Sequence, residues 1–99
     1  THWMTCGGVV LADWIRKVKG RMKIIHFKDY AIVPGIESCE QVEKRFAEVG
    51  QGNIDWPSVV AACKEIGVEY AVVEQDSCYD MEPYGCAQRS YDGMVKFGA

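Results

Sequence analysis

The sequence has no long hydrophobic run. Nowhere do about 18 apolar residues follow one another, the length that a membrane-spanning helix requires, so we expect no membrane partner. Residues 1–8 contain no Lys or Arg and no apolar stretch follows them, which argues against a secretory signal peptide there. Low-complexity tracts are also missing, and a hydrophobic fraction of 48% is too high for a disordered chain.

The five cysteines lack the pattern of a disulfide framework or of a zinc site. Their number is odd, and seven residues separate the closest pair, Cys78 and Cys86. This spacing is longer than that between paired cysteine ligands in structural zinc sites. Cys63 falls on the apolar stripe of a predicted helix and is expected in the core. We therefore expect a cytoplasmic protein with reduced thiols.

Positive charge is scarce for a nucleic-acid-binding protein, since the net charge is −3. A basic run extends from Arg16 to Lys28, but it has too few aromatic residues between its charges for base stacking. We interpret this run as a solvated helix face with its following turn, and we expect no nucleic acid partner.

Helices and strands alternate along the sequence. Apolar residues at helical spacing predict a helix from Leu11 to Val18 with Gly20 as its stop, and a buried strand, Met22–Phe27, follows. A second helix opens at Asp55, its predicted N-cap, and ends at Gly67. The remaining elements are a strand over Tyr70–Glu74 and a helix that begins at Pro83 and directs Ala87, Tyr91, Met94 and Val95 inward. This order predicts an α/β fold with parallel strands.

Two polar side chains lie near the carboxyl ends of the predicted strands. His26 and Glu74 each share the parity of upstream apolar residues, so they converge if those faces meet. A divalent metal would satisfy both an imidazole and a carboxylate. The connection from Asp29 to Ile54 follows the first strand and is long for a structural loop, so we expect it to be functional.

Several segments resemble the C-terminal part of the sugar phosphate isomerase/epimerase family, the xylose isomerase-like TIM barrels that include inosose dehydratases. The match covers almost the whole chain, and its most specific part is the glycine-rich segment that ends in Asp55-Trp56-Pro57. The matching segments are 1–3, 14–21, 26–30, 46–57 and 73–76. Gln51 stands where an acidic residue is common in the family, and the glycines beside it predict a tight turn rather than a phosphate cradle.

The resemblance implies a fold and a place in it. Residues 1–99 would be a single partial domain of a (β/α)8 TIM barrel, from the end of strand six through helix eight. On this alignment a metal-binding aspartate would immediately precede Thr1, and a further glutamate ligand would lie upstream. The start of the chain without an initiator Met then reads as a boundary just after that aspartate.

The resemblance also implies a chemistry. Family members bind one divalent ion, commonly Mn²⁺, Mg²⁺ or Co²⁺, and His26 and Glu74 match two of the ligands. Glu74 also matches a glutamate that moves a proton through an enediolate. Trp3 and Lys28 are our candidates for binding the sugar or sugar phosphate, Trp3 by stacking and Lys28 by contacting an anionic or hydroxyl group.

Three hypotheses follow. The first is a metal-dependent sugar or sugar phosphate isomerase or epimerase, to whose active site this chain contributes the C-terminal part, in a homo-oligomer. The second is a cyclitol (inosose-type) dehydratase on the same scaffold. The third is a truncated, non-catalytic fragment that self-associates. We expect the isolated chain to be inactive, because it holds only two of the four implied metal ligands.

Overall fold

Four helices and four short strands make up the part of the chain that the computed structural model describes, residues 1–33 and 42–99. No helix in these two ranges is long and apolar enough to cross a membrane. The helices are α1 (His2–Cys6), α2 (Leu11–Lys17), α3 (Trp56–Ile66) and α4 (Pro83–Phe97), and the strands are β1 (Ile24–Phe27), β2 (Asp29–Ile32), β3 (Lys44–Ala47) and β4 (Tyr70–Val73).

Helix α3 begins and ends where its local sequence dictates. The Asp55 side chain accepts a hydrogen bond from the Ser58 backbone N–H at 3.3 Å, which satisfies one of the free donors of the first turn. Pro57 lies in that turn, where its missing N–H costs nothing. Gly67 ends the helix in the left-handed conformation, with φ of 79°. The predicted cap and stop are both confirmed.

The strands form two separate two-stranded sheets. β1 and β4 are parallel, with Ile24 opposite Tyr70 and Phe27 opposite Val73. β2 and β3 are antiparallel, so the chain reverses between them. The backbone N–H of Glu74 donates to the Phe27 carbonyl at 3.0 Å, which carries the parallel pairing one residue past β4.

The core lies on one side of the parallel pair. Ile25 and Phe27 of β1 are buried against α2 and α3, whereas Ile24 on the opposite face is exposed. Alternation along a strand places His26 on the same exposed face as Ile24. Buried apolar residues at the centre of the core are Ile15, Phe27, Trp56, Val59 and Ala62.

The predicted barrel segment is wrong. The chain is an α/β domain, but in residues 1–33 and 42–99 each strand pairs with only one neighbour, and the two sheets are not joined. A barrel closes only when every strand bonds to two neighbours. Parallel pairing from strand to helix to strand therefore occurs in this chain, between β1 and β4, without building a barrel.

Two local predictions also need correction. The connection from Asp29 to Ile54 contains strands β2 and β3 instead of being loop throughout, while residues 34–41 within it lie outside the described part. Helix α4 does not turn Ala87, Tyr91 and Val95 inward, because Ala87 is exposed and the other two are 62% and 57% exposed, whereas Met94 is partly buried against the core as predicted. Its buried residues are Cys86, Ser90 and Gly93.

Candidate active site

A buried ammonium group joins two carboxylates at the carboxyl end of β1. Lys28 is only 2% exposed, and its Nζ donates to Oε1 of Glu74 at 2.8 Å. The same Nζ donates to both carboxylate oxygens of Asp76, at 2.7 and 2.8 Å. Both carboxylates reach the surface, so the buried cation supports a charged edge that solvent can reach.

His26 completes the environment of Glu74. The His26 Nδ1 hydrogen bonds to Oε2 of Glu74, so each oxygen of this carboxylate has a partner. The parallel register sets His26 opposite Val72, which places Glu74 just beyond it at the same edge. The predicted convergence of His26 and Glu74 is therefore present, although it lies on an exposed sheet face and not in an interior.

These contacts set the protonation of the cluster. The hydrogen bonds from Lys28 and His26 hold the pKa of Glu74 below its ordinary value, so the group is a carboxylate at neutral pH. Burial alone would lower the pKa of Lys28, but the hydrogen bonds to Asp76 and Glu74 outweigh it and the net shift is upward. Both shifts favour the charged forms of Lys28 and Glu74.

Two aromatic rings lie beside the ammonium group of Lys28. The ring of Trp3 lies 5.4 Å from the Lys28 Nζ and that of Phe46 lies 4.8 Å from it, both within the range of cation–π attraction. Trp3 is 68% exposed, so its outer surface is open to a ligand. All four residues predicted to form the site, Trp3, His26, Lys28 and Glu74, therefore lie together.

Lys28 differs from its prediction in one respect. The sequence predicts either a solvated lysine of a basic run or a lysine that contacts the substrate. In the structure the Lys28 ammonium is buried among three carboxylate oxygens. Its backbone is fixed as well, because the Thr1 hydroxyl both accepts from the Lys28 N–H and donates to the Lys28 carbonyl. The structure makes Lys28 the support of Glu74 and Asp76.

Sequence reasoning missed Asp76 and Phe46 as parts of this cluster. Asp76 has the same parity as Glu74, two residues further along, and that spacing was the available signal. No local pattern marks Phe46, because it reaches Lys28 from β3, a strand that the sequence did not predict.

Asp29 holds the glycine-rich loop and was also missed. It is fully buried, and its Oδ2 accepts from the backbone N–H groups of Gly50 and Gly52 at 3.0 and 3.1 Å and from the Trp56 indole at 2.6 Å. Its Oδ1 accepts from the Ile54 N–H at 3.3 Å. The loop amides are therefore occupied by the chain's own carboxylate, which agrees with the predicted tight turn and leaves no phosphate cradle.

The donor set at the edge fits part of a metal's coordination shell. The Nδ1 of His26 and the Oε2 of Glu74 face each other on side chains that solvent can reach, so an ion would take the place of the hydrogen bond that joins them. The other two carboxylates nearby are already engaged, since Asp76 is hydrogen bonded to Lys28 and Asp29 is hydrogen bonded to the glycine-rich loop. Within residues 1–33 and 42–99 no group of three or more His, Cys, Asp or Glu side chains is arranged to hold an ion. Ions such as Mg²⁺ bind through few protein ligands and keep water or substrate oxygens.

Comparison with known proteins adds no relative. No protein-family model matches the chain, and no curated protein matches its sequence. The resemblance to sugar phosphate isomerases and epimerases therefore stays a prediction from the motifs quoted above.

Proposed function

We propose that this chain supplies part of the active site of a metal-dependent isomerase or epimerase of a sugar or sugar phosphate. The observation that carries the proposal is the position of Glu74. Its carboxylate is held between Lys28 and His26 at an accessible edge, and the exposed ring of Trp3 lies 5.4 Å from the Lys28 Nζ. A base, a cation and a stacking surface are the three groups that proton transfer on a sugar needs.

Glu74 is the group that moves the proton in this proposal. Its lowered pKa keeps it ionised at neutral pH, and as a carboxylate it can accept the proton from the carbon beside a substrate carbonyl. The ammonium of Lys28 keeps the carboxylate oriented through its hydrogen bond to Oε1. Return of the proton to the same or the neighbouring carbon gives the epimer or the isomer.

His26 and Glu74 would hold the divalent ion. Its contribution when bound is positive charge that polarises the substrate oxygens. Two donors leave coordination positions for substrate hydroxyls and water, as Mg²⁺ and Mn²⁺ sites commonly have. The side chain of His26 is 59% exposed, which gives an ion access to the pair.

Trp3 would bind the carbon face of the sugar. An exposed indole offers a flat apolar surface, and the cation–π contact with Lys28 holds that surface near the carboxylate. We also place the protein in the cytoplasm, where thiols stay reduced, because the cysteines in the described part of the chain, Cys6, Cys63, Cys78 and Cys86, are free.

The test is solvent exchange on candidate substrates. The intact enzyme is incubated with Mn²⁺ in D₂O with a panel of ketoses, ketose phosphates and cyclitol ketones. Deuterium next to the carbonyl, detected by proton NMR without loss of water, is the expected result. Loss of water with a new unsaturated carbonyl absorbance would show a dehydratase, and no exchange on any member of the panel would overturn the proposal.

A further inference from the structure

A second reactive cluster lies outside the candidate active site. Cys6 is exposed at the end of α1, and the Lys44 Nζ, at the start of β3, donates to its Sγ at 3.1 Å. The Nε2 of His2 lies 3.5 Å from the same sulfur. Residues four apart on a helix share one face, so α1 itself places His2 beneath Cys6.

His2 is fixed and neutral in this position. It is 6% exposed, and its ring packs edge-on against Trp3 and Tyr30 and obliquely against Phe46. Burial, followed by the nearby charge of Lys44, lowers the pKa of His2. Among the described residues its buried Nδ1 has no hydrogen bond partner, whereas its Nε2 faces Cys6 in a polar contact.

We propose that Cys6 is a thiol modification site that undergoes exchange with small disulfides such as glutathione disulfide. The thiol loses its proton to solvent, the Lys44 ammonium that contacts Sγ stabilises the thiolate, and the neutral His2 ring fixes the position of the sulfur. The thiolate attacks one sulfur of the disulfide, a bond from Cys6 to that sulfur forms, and the original S–S bond breaks. The departing thiolate takes up a proton, so the small disulfide is the sole oxidant and the step balances.

Two of the other described cysteines, both of them buried, provide the contrast within the same chain. Burial raises the pKa of the Cys63 thiol, which is 6% exposed. Burial, together with its hydrogen bonds to Glu48 and Cys78, raises the pKa of Cys86 to about 12. Neither group has a cation in hydrogen-bond contact among the described residues. Access to solvent and the contact with the Lys44 ammonium therefore favour reaction at Cys6 over both.

The experiment measures the rate of mixed-disulfide formation at each cysteine. The full chain is incubated with glutathione disulfide at neutral pH, quenched with acid, and digested for mass spectrometry, which resolves every cysteine, including Cys39. Cys6 is expected to react faster in the folded chain than in urea, while Cys63 and Cys86 react more slowly folded than unfolded. A folded-state rate at Cys6 no higher than in urea would overturn the proposal.

Variants at residue 44 separate a charge effect from mere exposure. Lys44→Gln is expected to slow Cys6 by about threefold or more, because a smaller thiolate fraction outweighs the gain in intrinsic nucleophilicity. Lys44→Arg keeps the charge and retains most of the rate, and Lys17→Gln, the matched loss of a lysine on α2, leaves it unchanged. Equal rates for Lys44→Gln and the parent chain would contradict the role of Lys44.

Discussion

Lys28 and Glu74 form an ion pair of 2.8 Å in which the cation is buried and the anion is accessible. The two members of the pair have different roles. Without the Lys28 ammonium, the carboxylates of Glu74 and Asp76 would face each other with no positive charge between them, whereas Glu74 itself remains open to solvent. This asymmetry fits a group that must react while its partner only supports it. It also makes the charge of Glu74 depend on Lys28.

The first prediction concerns the pKa of Glu74. Replacing Lys28→Met removes the ammonium but keeps an unbranched chain of similar length, so the pKa of Glu74 is expected to rise toward its usual range. The measurement is an NMR titration of the glutamate side-chain carbonyl. Lys23→Met, which breaks the exposed pair with Glu69, is the control and should leave Glu74 unshifted. An unchanged pKa in Lys28→Met would contradict the account of this pair.

The same shift predicts a pH dependence of stability. A carboxyl whose folded pKa is depressed stabilises the fold above its unfolded pKa, and that contribution is lost as pH falls through the folded value. We expect the free energy of unfolding to decrease below about pH 4.5, the ordinary value, and to decrease less steeply in Glu74→Gln. Urea denaturation at a series of pH values measures both slopes, and identical slopes would contradict the prediction.

Asp29→Asn tests the anchor of the glycine-rich loop. An amide in place of the carboxylate turns one acceptor oxygen into a donor facing N–H groups of Gly50 and Gly52 or Ile54, and it removes the charge from the Trp56 bond. We expect a loss of about 2–4 kcal/mol in the free energy of unfolding. Asp13→Asn, an exposed aspartate of α2, should cost less than about 0.5 kcal/mol. Urea denaturation compares the two, and equal losses would contradict the anchoring role.

Two glycines of α4 should respond in opposite directions to alanine. At Gly93 a Cβ would collide with the carbonyl oxygen of Val49, whereas at Gly85 it would meet none of the described residues within 4 Å. Gly93→Ala is expected to lower the free energy of unfolding by about 2–4 kcal/mol. Gly85→Ala should stabilise it by up to about 1 kcal/mol through helix propensity. Thermal denaturation of both variants checks the contrast, which would fail if Gly93→Ala were neutral.

Features of the fold that depend on residues close together in the sequence could be predicted, whereas features that depend on contacts between distant residues could not. The ends of α3 depend on Asp55 and Gly67 themselves, and the approach of His26 to Glu74 depends on strand parity, so both were accessible to sequence reasoning. The pairing of β2 with β3 joins residues on either side of a long insertion, and no local pattern signals it. The TIM barrel was predicted from the resemblance to a family, and a resemblance in sequence motifs does not determine which strands pair with each other.

Burial of unexpected residues explains the remaining errors. Lys28 is buried because two later carboxylates and the ring of Phe46 surround it, although its sequence neighbours look like a solvated basic run. In α4 the buried side is set by close approach to Val49, which requires Gly93, so the apolar periodicity pointed to the wrong face. Small residues at a close contact carry no hydrophobic signal.

His26→Ala tests the proposed metal pair. Loss of the imidazole leaves Glu74 as the one remaining donor of the pair, so the affinity of the chain for Mn²⁺ is expected to fall by about tenfold or more. Isothermal titration calorimetry measures it, and Glu65→Gln, which removes an exposed carboxylate paired with Arg16, is the control. Unchanged Mn²⁺ affinity in His26→Ala would return His26 to a purely structural role.

The central claim is that the Glu74 carboxylate transfers the proton, and Glu74→Gln tests it most directly. The measurement is the rate of deuterium incorporation from D₂O into the substrate by the intact enzyme with Mn²⁺, beside Glu69→Gln, which neutralises a glutamate paired with a surface lysine. We predict that Glu74→Gln loses exchange by about 100-fold or more while Glu69→Gln keeps the parent rate. Exchange at the parent rate in a folded Glu74→Gln variant would contradict the claim.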